Sequence, residues 1–276
     1  MKQTHINFQA IQEIAVTGVR RTAVFMGLGL NAANDPDFKQ YELTNLTQIQ
    51  IIPPDADEKT LSHFKTEFGH WIVANGLREL IETFSVFLDE VHSACLQIGV
   101  SCNQIPADEF ESRDRKFRHG GLHEKLTYLQ DHFGIGTKHQ DSLISINQAR
   151  HCLTHRRGVV GKEDCSDGKE LIVKWLGFDI YAEIPTGETI SLQPVPEGGV
   201  FLPDGGQIML KGSERIMAFP LHNLVTFSPR DLAEICNLVL SATTEIIVSA
   251  QTYATNNGIQ LAIEGESTVE VAKNTK

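Results

Sequence analysis

No CxxC pair occurs in this chain, and its five cysteines, at 95, 102, 152, 165 and 236, are an odd number. That argues against a secreted disulfide framework and for free, mostly buried thiols in a reducing cytosol. There is no GxSxG elbow and no glycine-rich Walker loop, so neither a hydrolase serine nor a nucleotide cradle is signalled. The glycine-rich pieces PEGG (196–199) and PDGG (203–206) lack the lysine and helix that a phosphate loop needs, and they read as turns. Long hydrophobic runs are missing too. TAVFMGLGLNAA (22–33) is too short to span a bilayer, and it follows an amphipathic stretch containing Glu13. Neither a signal peptide nor a membrane partner is expected, and the cytoplasm is the expected location. Positive charge is scarce: the net charge of −11 argues against wholesale wrapping of nucleic acid. No internal repeat is present.

The scarce positive charge is concentrated. Residues 113–157 hold nine Lys/Arg against four Asp/Glu, leaving 15 basic and 31 acidic side chains elsewhere. Six of the 11 histidines fall in the same window. A basic, histidine-rich segment in an acidic chain is where a phosphate ligand is drawn; a basic helix face is the plainer reading.

Within that window lies DSLISINQARHCLTHRRGVVG (141–161), which reads as a helix ending in a turn at Gly158. Helical spacing puts His151 one turn from His155 and brings Arg150 to the same side. An arginine holds its proton, and imidazoles exchange theirs near neutral pH. Metal-free cleavage of an RNA phosphodiester needs these two properties: a group that takes the 2′-hydroxyl proton, and a cation on the phosphate. Here His155 is the candidate general base or acid, Arg150 the phosphate-stabilising group, and His151 an orienting or second proton-transfer group. Arg156 and Arg157 add positive field.

Arg150, four intervening residues and His155, at the end of an apolar-faced helix before a glycine turn, resemble the motif of the HEPN superfamily. His151 stands where that family usually has Asn. The resemblance covers roughly 57–160 and 228–255. It implies a helical bundle and, for many members, a metal-independent endoribonuclease. It also implies a homodimer with the two motifs facing each other across the interface. Many such proteins are toxins of toxin–antitoxin systems or phage-defence effectors, so RNA and an antitoxin or other regulatory protein are the implied partners. Other members are non-catalytic and bind a nucleotide, RNA or a protein. In that case Arg150 would hold the bundle together by pairing with Glu79 or Glu82.

Metal and other cofactors are not expected. His151/His155 and His119/His123 share i, i+4 spacing, but the zinc-protease pattern needs Glu where Cys152 stands. Cys165, ten residues beyond His155, has no partner at finger spacing.

Apolar residues from Ile6 to Phe25 give a loose helix, weakened by Gly18, Gly27 and Gly29 and broken at Asn34–Pro36. LTQIQII (46–52) alternates like a strand, so 1–55 reads as a helix and an extended arm. Three- and four-residue steps from Leu61 to Val91 predict a helix over 58–98, capped by Asp57 or Thr60 and kinked or divided at Gly76. Trp71 and the phenylalanines are assigned to its core face. Residues 99–112 look like a loop. SRDRKFRHGG (112–121) reads as a solvated loop or as an RNA-contacting segment through Arg113, Arg115, Lys116 and Arg118. A short helix from Leu122 to Phe133 and the motif helix follow. Segments 170–184, 189–195, 199–202 and 207–212 are strand-like, separated by turns, and Ser228-Pro229 starts another helix. The expected fold is mainly α: a HEPN-like bundle (56–165 and 225–256) with a small antiparallel β insertion (166–224) and a mobile polar tail (257–276).

Overall fold

Two long helices meet along a seam of glycines. In the computed structural model, which describes residues 6–38, 57–165, 168–193, 198–199, 201–202 and 205–260, helix α1 spans Phe8–Asn34 and α2 spans Glu58–Ser101. Asn7 caps α1 by accepting the Ala10 amide, and Asp57 caps α2 by accepting that of Thr60. The helices run antiparallel. A Cβ at Gly18 would lie 2.2 Å from Thr83 Cγ2, one at Gly29 2.5 Å from Ile72 Cδ1, and one at Gly76 2.4 Å from Met26. The glycines that lower the helical propensity of α1 are thus the ones that let it sit on α2. Gly76 neither divides nor interrupts α2; its missing side chain is where Met26 fits. The strand expected at 46–52 lies outside the described residues.

The stretch read as a loop at 112–121 is largely helical: α3 covers Phe110–Arg118. Its charges pair along the helix, Arg113 with Glu109 at 2.6 Å and Arg118 with Asp114 at 2.7 Å. Its one apolar anchor, Phe117, stacks on His92 of α2 with ring centroids 3.9 Å apart. Helix α4 (Leu122–Phe133) ends at Gly134 in the left-handed conformation, and α5 (Gln140–His155) carries the motif.

Beyond α5 the chain makes a three-stranded antiparallel sheet in the order β2-β1-β3. Strands β1 (Glu170–Glu183) and β3 (Gln207–Pro220) pair over their whole length, and β2 is only Thr189–Ser191. Gly199, Phe201 and Leu202, expected in a strand, lie outside any. Leu171, Val173 and Trp175 are buried at alternate positions, so the start of β1 turns one face to the helices. Ser145 of α5 serves the β1 edge: its Oγ accepts the Lys174 amide at 2.9 Å and donates to the Lys174 carbonyl at 3.3 Å. Helix α6 (Pro229–Asn256) starts with a reciprocal Ser228/Asp231 cap and Pro229 at its first position. It packs on α1, α2 and β1, with Val239, Ile246 and Ala250 wholly buried. By length and composition α6 is apolar enough to cross a bilayer, where the sequence reading expects no such run, and 56% of its most apolar stretch is buried inside the fold.

Mutating the seam tests it directly. Gly18→Ala is expected to lower unfolding free energy by about 1–3 kcal/mol through overpacking on Thr83. Gly27→Ala, which meets nothing within 4 Å, is expected to raise it by up to about 1 kcal/mol. Denaturant titration measures both.

His92 supplies a second test. It is fully buried, and its Nδ1 lies 3.4 Å from an Asp114 oxygen without hydrogen-bonding geometry. Burial pushes its pKa down to about 4; Asp114 opposes the shift, and Arg118 and His132 add to it. The folded protein therefore binds fewer protons than the unfolded chain between about pH 6.5 and about pH 4. Stability from this group is full above that window and lost as pH falls through it. Denaturation midpoints at pH 7 and pH 5 should fall further for the wild type than for His92→Phe.

Candidate functional site

Helix α5 is fixed at both ends. At its start, the His139 ring lies 3.1 Å from Ser241 Oγ of α6, and Thr137 donates to Glu245 of α6 at 2.6 Å. Its buried stripe is Leu143, Ile146, Ala149, Cys152 and Leu153. At its end the chain turns sharply: Arg157 takes φ +53° and Gly158 φ +80°. The Gly158 amide donates back to the Cys152 carbonyl at 3.1 Å, and Val160 and Val225 then join the turn to residues 222–225 ahead of α6. Sequence spacing put the motif at the close of a helix, and it lies there.

Arg150 is half-buried beside the 78–82 level of α2. Its Nη2 donates to Asn147 Oδ1 at 2.6 Å, while its Nε is buried without a partner. Burial pulls its pKa below the usual arginine range, against the pull of Glu82 and with the push of Arg78. The pairing with Glu79 or Glu82 that would make Arg150 a bundle strut is absent among the described residues. Glu79 pairs with Arg21, and Glu82 with Arg78 at 2.8 Å.

His151 and His155 are exposed, their rings stacked with centroids 5.5 Å apart. Loss of solvent lowers the His151 pKa, Arg150, His155 and Arg156 add to the shift, and Asp164 opposes it. At neutral pH His151 is thus held in its neutral, accepting form. Cys152, between the histidines in sequence, faces the core, where burial pushes its thiol up to about 12 and removes it as a nucleophile. Among the described residues, no group of three or more His, Cys, Asp or Glu is placed to hold a metal.

The other basic candidates divide. Arg156 is engaged by carboxylates: Nε donates to Asp164 at 2.7 Å, Nη2 bonds the other Asp164 oxygen, and Nη1 lies 3.2 Å from Glu163. It clamps the turn and is not free for a ligand. Arg157 is exposed with no carboxylate partner among the described residues. On α3, Arg113 and Arg118 are paired with carboxylates, and Arg115 and Lys116 are exposed. That helix packs at the 90–92 level of α2, about 15 Å along the axis from the level of Arg150, so it does not join the motif.

Sequence reasoning missed the aromatic surface beside the motif. A cleft of about 850 Å³ is lined by Phe64, Phe68, Trp71, Arg78, Thr154 and Arg157, among others. Trp71 is 60% exposed and Phe64 44%, where a core position was expected. Thr154 donates to the Arg150 carbonyl one turn back, so the cleft adjoins the motif. Comparison with family models, curated proteins and solved structures returned no match.

The clamp and the free arginine should behave differently. Arg156→Ala leaves Asp164, 2% exposed, as an unpaired buried carboxylate, with an expected loss of about 3 kcal/mol. Arg157→Ala is expected to change stability by less than about 0.5 kcal/mol. Urea denaturation of the two variants distinguishes them.

Proposed function

We propose that the chain is a metal-independent endoribonuclease of the HEPN type, its helices forming a HEPN-like bundle with the β sheet as an insertion. The observation that carries this is Arg150: half-buried, free of any carboxylate at ion-pair distance among the described residues, oriented by Asn147, and next to two exposed imidazoles. In this reading Arg150 binds the scissile phosphate through its free donors. His155 takes the 2′-hydroxyl proton, the 2′-oxygen attacks phosphorus, and the bond to the 5′-oxygen breaks as that oxygen takes the proton back from the protonated His155. The products are a 2′,3′-cyclic phosphate and a 5′-hydroxyl. His151, kept neutral, accepts from the reacting ribose hydroxyl or donates its ring N–H to the phosphate. No metal or other cofactor takes part.

A homodimer belongs to the same proposal, with the two motifs forming one composite site. Val24, Phe25 and Leu28 of α1 are 56%, 60% and 66% exposed, an apolar stripe that self-association covers. So does a cytoplasmic role as a toxin or phage-defence effector restrained by an antitoxin or other regulatory protein. A second reading is a non-catalytic module binding a nucleotide, RNA or protein; the acidic balance outside residues 113–157, which repels a polyanion, favours its protein-binding form.

Labelled cellular RNA incubated in EDTA with the wild type should be cut. His155→Ala should reduce the rate by about 10²–10⁴-fold, the usual contribution of a general base. A folded wild type that leaves the RNA intact would move the assignment to the binding module.

A further inference from the structure

We infer that the cleft between α2 and the turn after α5 is a binding track for unpaired RNA, with a nucleobase stacked on Trp71 and the flanking phosphates on Arg78 and Arg157. This rests on the ribonuclease reading and adds to it the form of the substrate. Three features combine here. First, an aromatic pair lines the cleft: Phe68 and Trp71 lie near-parallel with centroids 6.3 Å apart, and Trp71 is 60% exposed. Single-stranded nucleic acids bind by stacking their bases on such rings, which a duplex, with its bases already stacked, does not offer.

Second, the lining charge suits a polyanion. Arg78 and Arg157 face the cleft with His70 and one carboxylate, Glu67, which lies 4.0 Å from His70. Arg78 also pairs with Glu82, so the fully available guanidinium is that of Arg157. Its left-handed backbone projects it at the turn directly after the motif helix. Third, the track leads to the chemistry. Thr154 lines the cleft one helical turn beyond Arg150, and Arg78, also in the lining, is electrostatically coupled to the Arg150 guanidinium. A strand whose base rests on Trp71 therefore has a phosphate within the field of Arg150.

The protein contains its own probe. Of its two tryptophans, Trp175 is 2% exposed and bonded to Glu234 at 2.9 Å, so a ligand that changes the fluorescence by contact does so through Trp71. The experiment uses the full chain carrying His155→Ala, in EDTA, titrated with a short oligouridylate and with the same strand in duplex. The single strand is expected to quench the fluorescence and the duplex to bind much more weakly. Trp71→Ala should weaken binding of the single strand about tenfold, measured by anisotropy of a labelled strand, and Trp71→Phe should restore most of it. Arg157→Ala should lower the salt dependence of binding.

Single-strand affinity unchanged in Trp71→Ala, or equal affinity for the duplex, would overturn the track. So would a fluorescence change that follows protein concentration without RNA, because the cleft is then filled by a second copy of the chain. If the wild type cuts RNA while Trp71 stays silent, the track fails and the ribonuclease reading stands. If the strand binds at Trp71 while the wild type cuts nothing, the track stands and the ribonuclease reading fails.

Discussion

A carboxylate taken out of water must be met by a cation, and Asp164 is met by Arg156. The candidate site depends on that pair. Asp164 is nearly inaccessible, it also accepts the Gly161 amide at 2.8 Å, and its partner is the residue that closes α5. Holding Arg156 fixes where the motif helix stops. It obliges Arg157 and Gly158 to take left-handed conformations, and it delivers Val160 to its pairing with residues 222–223. The His151–His155 face points away from the core because Ile146, Ala149, Cys152 and Leu153 occupy the opposite, buried side of the helix.

The same economy of charge runs through the molecule and sets Arg150 apart. Arg21, Arg78, Arg113, Arg118, Arg156, Arg215 and Arg230 each have a carboxylate within ion-pair distance. The densest network is at the sheet–helix junction, where Glu234 of α6 accepts from Trp175, Arg215 and Arg230. Gly177 leaves the room this needs: a Cβ there would lie 2.2 Å from Arg215 and 2.6 Å from Glu234. Among the described residues, the arginines without a carboxylate are Arg115, Arg157 and Arg150, and Arg150 alone of these is half-buried. A partly desolvated guanidinium with only an amide oxygen for company is an arrangement that an incoming anion improves.

Where the signal was local, the sequence was readable. The three- and four-residue steps of α2, the Asp57 cap, the Ser228-Pro229 start of α6 and the adjacency of His151 and His155 all follow from helical geometry, and the structure has them. What was hidden depended on partners distant in the chain or on a choice of face. Arg156 reads as a phosphate ligand until Asp164, beyond a turn, is brought back to it. SRDRKFRHGG looks like a loop by composition, yet its pairs at i, i+4 and Phe117 on His92 make most of it a helix. Trp71 fits the apolar period of α2, but that helix is wider than the surface its neighbours cover, and Trp71 falls outside it. The glycines of α1 weaken a helix when read alone and define a close contact when α2 is beside them.

Helix α6 packs against the first helix described, anchors the start of α5 through Ser241 and Glu245, and secures the sheet through Glu234. A ribosome emits α6 only after everything it braces. During synthesis the motif helix is thus outside the tunnel while its brace is still inside, and the arginine–histidine arrangement has no fixed geometry. The geometry of the Arg150–His155 end of α5 is therefore set only when the last described helix docks.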